Sequence, residues 1–98
     1  MKSYLLEYKL KPGNFDQVCK LIRDFVEQVQ IEEGTLLYSP FHYIEENNKF
    51  VHVISFENAS AEAMHKEAEY TKKFIEQLSQ LTINEPKYVE IKYVNYDE

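Results

Sequence analysis

Phe50-Val51-His52-Val53-Ile54-Ser55-Phe56-Glu57-Asn58 is the stretch that decides the fold. Its β-branched and aromatic residues alternate, the signature of a strand over 50–57. Phe50, Ile54 and Phe56 fall on one face and Val51 and Val53 on the other. A strand that is apolar on both faces must be covered on both. The residues before it, Glu46-Asn47-Asn48-Lys49, are polar and turn-prone. They predict a hairpin back to a strand over 35–45. Pro40 removes a backbone donor from that strand and predicts an edge or bulged position.

Working outward, Tyr4, Leu6, Tyr8 and Leu10 alternate in a strand over 3–10, closed by the turn chemistry of Lys11-Pro12-Gly13. Asn14, with Gln17 three residues on, reads as a helix start. Phe15, Val18, Ile22, Phe25 and Val29 then recur at spacings of three and four, predicting a helix over 14–32 that stops at Gly34. After residue 58, with Asn58 or Ser60 as cap, the stripe Ala61, Met64, Ala68, Thr71, Ile75 and Leu78, with Phe74 beside it, predicts one helix over 60–80. Asn84-Glu85-Pro86 breaks it, and 87–94 reads as a last strand. Its Val89, Ile91 and Tyr93 oppose Tyr88 and Val94, so both its faces are apolar too. The order βαββαβ predicts an α+β, ferredoxin-like fold, with a four-stranded antiparallel sheet and two helices on one face. At 98 residues the chain fits one domain, 1–98. The uncovered apolar sheet face predicts a homodimer through the sheet faces.

The net charge of −6 disfavours nucleic acid and anionic membranes as partners. The N-terminus has no signal-peptide core, and no long apolar span follows, which predicts a cytoplasmic protein. Cys19, the single cysteine, sits beside Val18 and is expected to be a buried, inert thiol. The acidic pairs Glu32-Glu33, Glu45-Glu46 and Glu67/Glu69 read as solvated surface. His42 and His52 lie on strands joined by one hairpin, but two histidines without a third ligand are a weak metal signal, and no metal is expected.

Several segments together resemble the antibiotic biosynthesis monooxygenase (ABM) superfamily of dimeric α+β barrels. They are Lys11-Pro12-Gly13-Asn14, Glu33-Gly34-Thr35-Leu36-Leu37-Tyr38, the strand 50–58, and Ala63-Met64-His65 with Ala68, Tyr70 and Phe74. The resemblance implies a cleft between helices and sheet. It implies as activity a cofactor-independent monooxygenase, or a related small-molecule enzyme, acting on an electron-rich phenol or quinol. His65 would be the base, since imidazole exchanges protons near neutral pH. Tyr70 is a second catalytic candidate, and Phe74, His52 and Tyr4 are candidate substrate contacts. No cofactor is implied. Haem is disfavoured, because the helical position where related haem enzymes carry histidine holds Phe74 or Ile75. The chain departs from the family pattern at Ile54, where many enzymes carry Glu, at Phe56, where Trp is common, and at Tyr70, often His. These departures favour the alternative, a non-catalytic dimeric module that binds a small ligand or a protein.

Overall fold

The computed structural model describes residues 1–95. Strand β1 (Lys2–Lys9) leads into helix α1 (Phe15–Val29), then the hairpin of β2 (Thr35–His42) and β3 (Lys49–Phe56). Helices α2 (Ala59–Glu67) and α3 (Glu69–Ser79) precede β4 (Lys87–Ile91). The antiparallel sheet has the order β2-β3-β1-β4, the ferredoxin-like arrangement expected. Pro40 lies on β2, an edge strand where its missing N–H costs no ladder bond, while the register irregularity falls between Thr35 and Leu37.

The helices cover the face carrying Tyr4, Leu6, Tyr8, Phe50, His52, Ile54 and Phe56, all buried. Val18, Ile22, Phe25 and Val29 bring α1 down onto it, and Phe74 and Leu78 bring α3. Phe25 and Phe74 stack with ring centroids 4.0 Å apart and join the two helices. Burial of a side chain this size stabilises by roughly 1.5–3 kcal/mol. The opposite face presents Leu5, Leu37, Phe41, Val51, Val53 and Val89, and among the described residues no helix or strand lies over them; Phe41 is 57% exposed.

Five local expectations are corrected. The helix over 60–80 is two helices, because Ala68 takes an extended conformation (φ −60°, ψ 137°). Met64, placed on the apolar stripe by periodicity, is 72% exposed, and His65 takes the inward position. Cys19 is an exposed free thiol. The stripe Val18-Ile22-Phe25-Val29 defines the buried face, and one residue on from Val18 the helix has turned about 100° away from it. Asn14 makes no side-chain cap; its Nδ2 donates back to the Lys11 carbonyl, across a turn in which Gly13 has φ +86°. Asn58 rather than Ser60 caps α2, accepting from the Ala61 N–H at 2.9 Å. The last strand ends at Ile91, short of Tyr93 and Val94, which are exposed.

Candidate active site

The candidate cleft lies between the α1–β2 connection, the end of β3 and α2. Its volume is about 680 Å³, and its walls include Ile31, Glu32, Glu33, Thr35, Glu57, Asn58, Ala61, Met64, His65 and Tyr70. Gly34 lets α2 approach this connection, since a side chain there would meet Ala61.

Glu32 is the hub. Read as solvated surface in the sequence, it is only 16% exposed at its side chain. Its carboxylate accepts from His65 Nδ1 at 2.8 and 3.2 Å, from Thr35 Oγ1 at 2.6 Å and from the Tyr70 hydroxyl. Three donors from β2, α2 and α3 thus converge on one residue just past the end of α1. A carboxylate accepts only, so His65 must carry a proton on Nδ1. In the neutral ring that leaves the Nε2 lone pair available. His65 is 2% exposed, and its Nε2 is buried without a hydrogen-bond partner. The rings of Phe56, Phe25 and Tyr38 surround it, with centroids 5.1, 5.8 and 5.9 Å from the imidazole. An unsatisfied buried acceptor costs about 1–3 kcal/mol. Tyr70 holds its proton firmly: burial, the bond to Glu32 and the charge of Glu32 push its pKa up to about 12.

In an unbroken helix, residues 65 and 70 would point about 140° apart. The break at Ala68 re-aims α3, and both side chains reach Glu32.

The other three candidates lie behind the cleft and do not line it. Phe74 stacks on Phe25 in the core. Tyr4 packs near Phe56 and Tyr88, with the Lys66 ammonium over its ring. His52 is fully buried, with Nε2 2.7 Å from the Tyr8 hydroxyl and Nδ1 2.8 Å from that of Tyr38. Burial lowers its pKa to about 3, so the ring is neutral and both nitrogens are engaged. His42 sits opposite Phe50 and His52 opposite Pro40; the His42 ring packs on Phe15 and Phe50. Among the described residues no group of three His, Cys, Asp or Glu side chains is arranged to hold a metal ion, and no helix is long and apolar enough to cross a membrane.

Residues 3–77 match the family model for antibiotic biosynthesis monooxygenases. The chain belongs to the ABM family. Solved structures agree on the fold. One, described as an antibiotic biosynthesis monooxygenase, superposes with a TM-score of 0.90 at 21% identity, covering 97% of this chain and 100% of its own. A conserved protein from Methanosarcina mazei gives 0.89 at 15% identity, over 95% of this chain and 92% of its own. A Pseudomonas aeruginosa protein gives 0.85 at 17%, over 96% and 94%. No functionally curated protein matches the sequence. At these identities the ABM structures speak for the fold alone.

Proposed function

We propose that the chain is a cofactor-independent monooxygenase, or a closely related small-molecule enzyme, acting on an electron-rich phenol or quinol. The observation that carries this reading is the Glu32–His65 pair: the carboxylate fixes the Nδ1 proton and leaves Nε2 buried and unpartnered on a residue that lines the cleft. Nε2 takes the phenolic proton. The anion, with carbanion character on the ring, donates one electron to dioxygen. The phenoxyl radical, through its ring carbon, and superoxide couple to form a C–O bond, and the imidazolium returns its proton to the peroxide. Loss of the ring C–H proton to His65 with cleavage of O–O leaves a quinone and expels hydroxide, which takes that proton from the imidazolium to leave as water. Phenol and O₂ thus give quinone and water, and dioxygen is the only oxidant. Proton transfer by a positioned His65 is worth about 10²–10⁴-fold, and Glu32 holds its tautomer and stabilises the imidazolium formed in the first step. Tyr70 and Thr35 orient Glu32. Phe74, His52 and Tyr4 support the cleft from the core. The working form on this reading is a homodimer paired through the apolar sheet face, which needs about 800 Å² buried per partner.

A second reading, a non-catalytic dimeric binding module, is favoured by one observation: His65 is 2% exposed, so Nε2 is closed off until a ligand parts α2 from the rings beneath it. Oxygen uptake with a panel of catechols and naphthols separates the two. The enzyme consumes O₂ in proportion to phenol, and His65→Ala abolishes uptake while leaving the circular dichroism and oligomeric state unchanged. Ligand binding without O₂ uptake establishes the module instead.

A further inference from the structure

We infer that the substrate of this cleft carries a positive charge: it is an amine-bearing phenol, held by carboxylates on the rim, and not a carboxylate- or phosphate-bearing one. The inference rests on the reading of the cleft as the substrate site and adds what that site selects.

Besides Glu32, the cleft is lined by Glu33 and Glu57, and by no lysine or arginine. Neither Glu33 nor Glu57 has a cation partner among the described residues. Lys66, the cation on α2, is turned away. Its ammonium lies 2.6 Å from Glu62 and over the rings of Tyr4 and Tyr88. The polar atom that calls for a ligand is independent of this acidic rim: His65 Nε2 is buried and unpartnered. An amine-bearing phenol answers both features, its hydroxyl to the imidazole and its ammonium to the rim.

One feature opposes the preference. The N-terminus of α2 opens on the cleft at Asn58, and a helix start carries the equivalent of about half a positive charge. Asn58 has already taken the Ala61 N–H. Three carboxylates outweigh the half charge that remains. At about 6 Å in a water-like dielectric, each rim carboxylate is worth roughly threefold in affinity for a cation and the same against an anion. The chain's net charge of −6 adds to the bias at long range.

The test uses three probes of matched size under anaerobic conditions: 4-ethylcatechol, dopamine and 3,4-dihydroxyphenylacetate. Binding is followed by ¹H–¹⁵N NMR of the 98-residue protein. The expected result is that dopamine binds at least tenfold tighter than the carboxylate probe at 20 mM salt, with 4-ethylcatechol between them. At 0.5 M salt the difference shrinks to about threefold or less, because the Debye length has fallen to roughly 4 Å. Glu33→Gln and Glu57→Gln each reduce the preference for dopamine over 4-ethylcatechol about threefold, by weakening dopamine rather than 4-ethylcatechol. Equal affinities for the three, tighter binding of the carboxylate probe, or no binding at millimolar concentration overturns the inference. The reading of the site fails separately. If dopamine binds with the expected preference but leaves the His65 ring signals unmoved, and no probe drives O₂ uptake in air, the charge selection stands and the base assignment falls.

Discussion

Gly34 lies so close to Ala61 that a Cβ at position 34 would stand 2.4 Å from the Ala61 Cβ and 3.4 Å from its Cα. Real Cβ atoms do not approach so closely, and neither partner is a flexible side-chain end. Gly34→Ala must therefore push α2 away from the start of β2, where Glu32 and Thr35 meet His65. We expect a loss of about 1–3 kcal/mol in unfolding free energy, as for overpacked sites, with activity lost more steeply than stability. Ala61→Gly in the same chain removes the 2.4 Å clash and should restore most of both. Chemical denaturation of the two single variants and the double variant reads this directly.

Glu32→Gln keeps the shape of the hub and loses its charge. A carboxamide has one accepting oxygen where the carboxylate had two, and its NH₂ group faces donors. We expect a stability cost of about 1–3 kcal/mol and a fall in turnover of at least a hundredfold. ¹⁵N-resolved histidine spectra should show Nδ1 of His65 no longer uniformly protonated. A Glu32→Gln protein with wild-type turnover and histidine spectrum would remove Glu32 from the site.

His52 makes the fold acid-sensitive. Burial lowers its folded pKa from 6.5 to about 3. Between these values the unfolded chain binds a proton that the folded chain refuses, so falling pH favours unfolding. The contribution is fully present above pH 6.5 and is lost progressively as pH falls towards 3. Replacing His52 by Gln, which keeps both a donor and an acceptor for Tyr8 and Tyr38, should flatten the stability profile between pH 6.5 and 4. An unchanged slope in that window would show that other groups set it.

Tyr70 gives the opposite sign at the alkaline end. Its pKa is pushed up to about 12 from 10, first by burial and then by Glu32. The folded protein keeps a phenolic proton that the unfolded chain gives up. The stabilisation is present below pH 10 and is lost as pH rises towards 12. Ultraviolet titration of Tyr70→Phe against the parent should remove one late-titrating phenol.

Val53→Glu places a charge in the middle of the uncovered sheet face without touching the core. It should give monomer at micromolar concentration in sedimentation, where the parent gives dimer. A parent that sediments as monomer would end the pairing through this face.

The fold was legible because its signals are redundant. Alternation in β1 and β3, the polar turn at 46–49 and the α1 stripe all point to the same sheet. The site was less so. Ala61, Met64, Ala68, Thr71, Ile75 and Leu78 form a continuous helical stripe, which hid the break at Ala68 and turned Met64 inward on paper. The stripe the structure uses is Ala61 and His65, then Thr71, Phe74 and Leu78. The six-residue step between His65 and Thr71 does not fit 3.6 residues per turn, and that mismatch was the available signal. Nothing marks Glu32 apart from Glu33 in sequence. Only tertiary contact from three elements makes one a hub and leaves its neighbour on the rim.

The extended backbone at Ala68 also divides the amide-exchange behaviour of the molecule. A continuous helix over 60–80 would protect its backbone as one cooperative length. Two helices with a joint between them can open separately. α3 is anchored in the core by Phe74 and Leu78, whereas α2 contributes only His65 as a fully buried side chain. Its amides should therefore exchange with deuterium well ahead of those of α3. A ligand that bridges His65 and Glu32 should slow α2 selectively, and the protection pattern of nine residues becomes a substrate screen that needs no knowledge of the product.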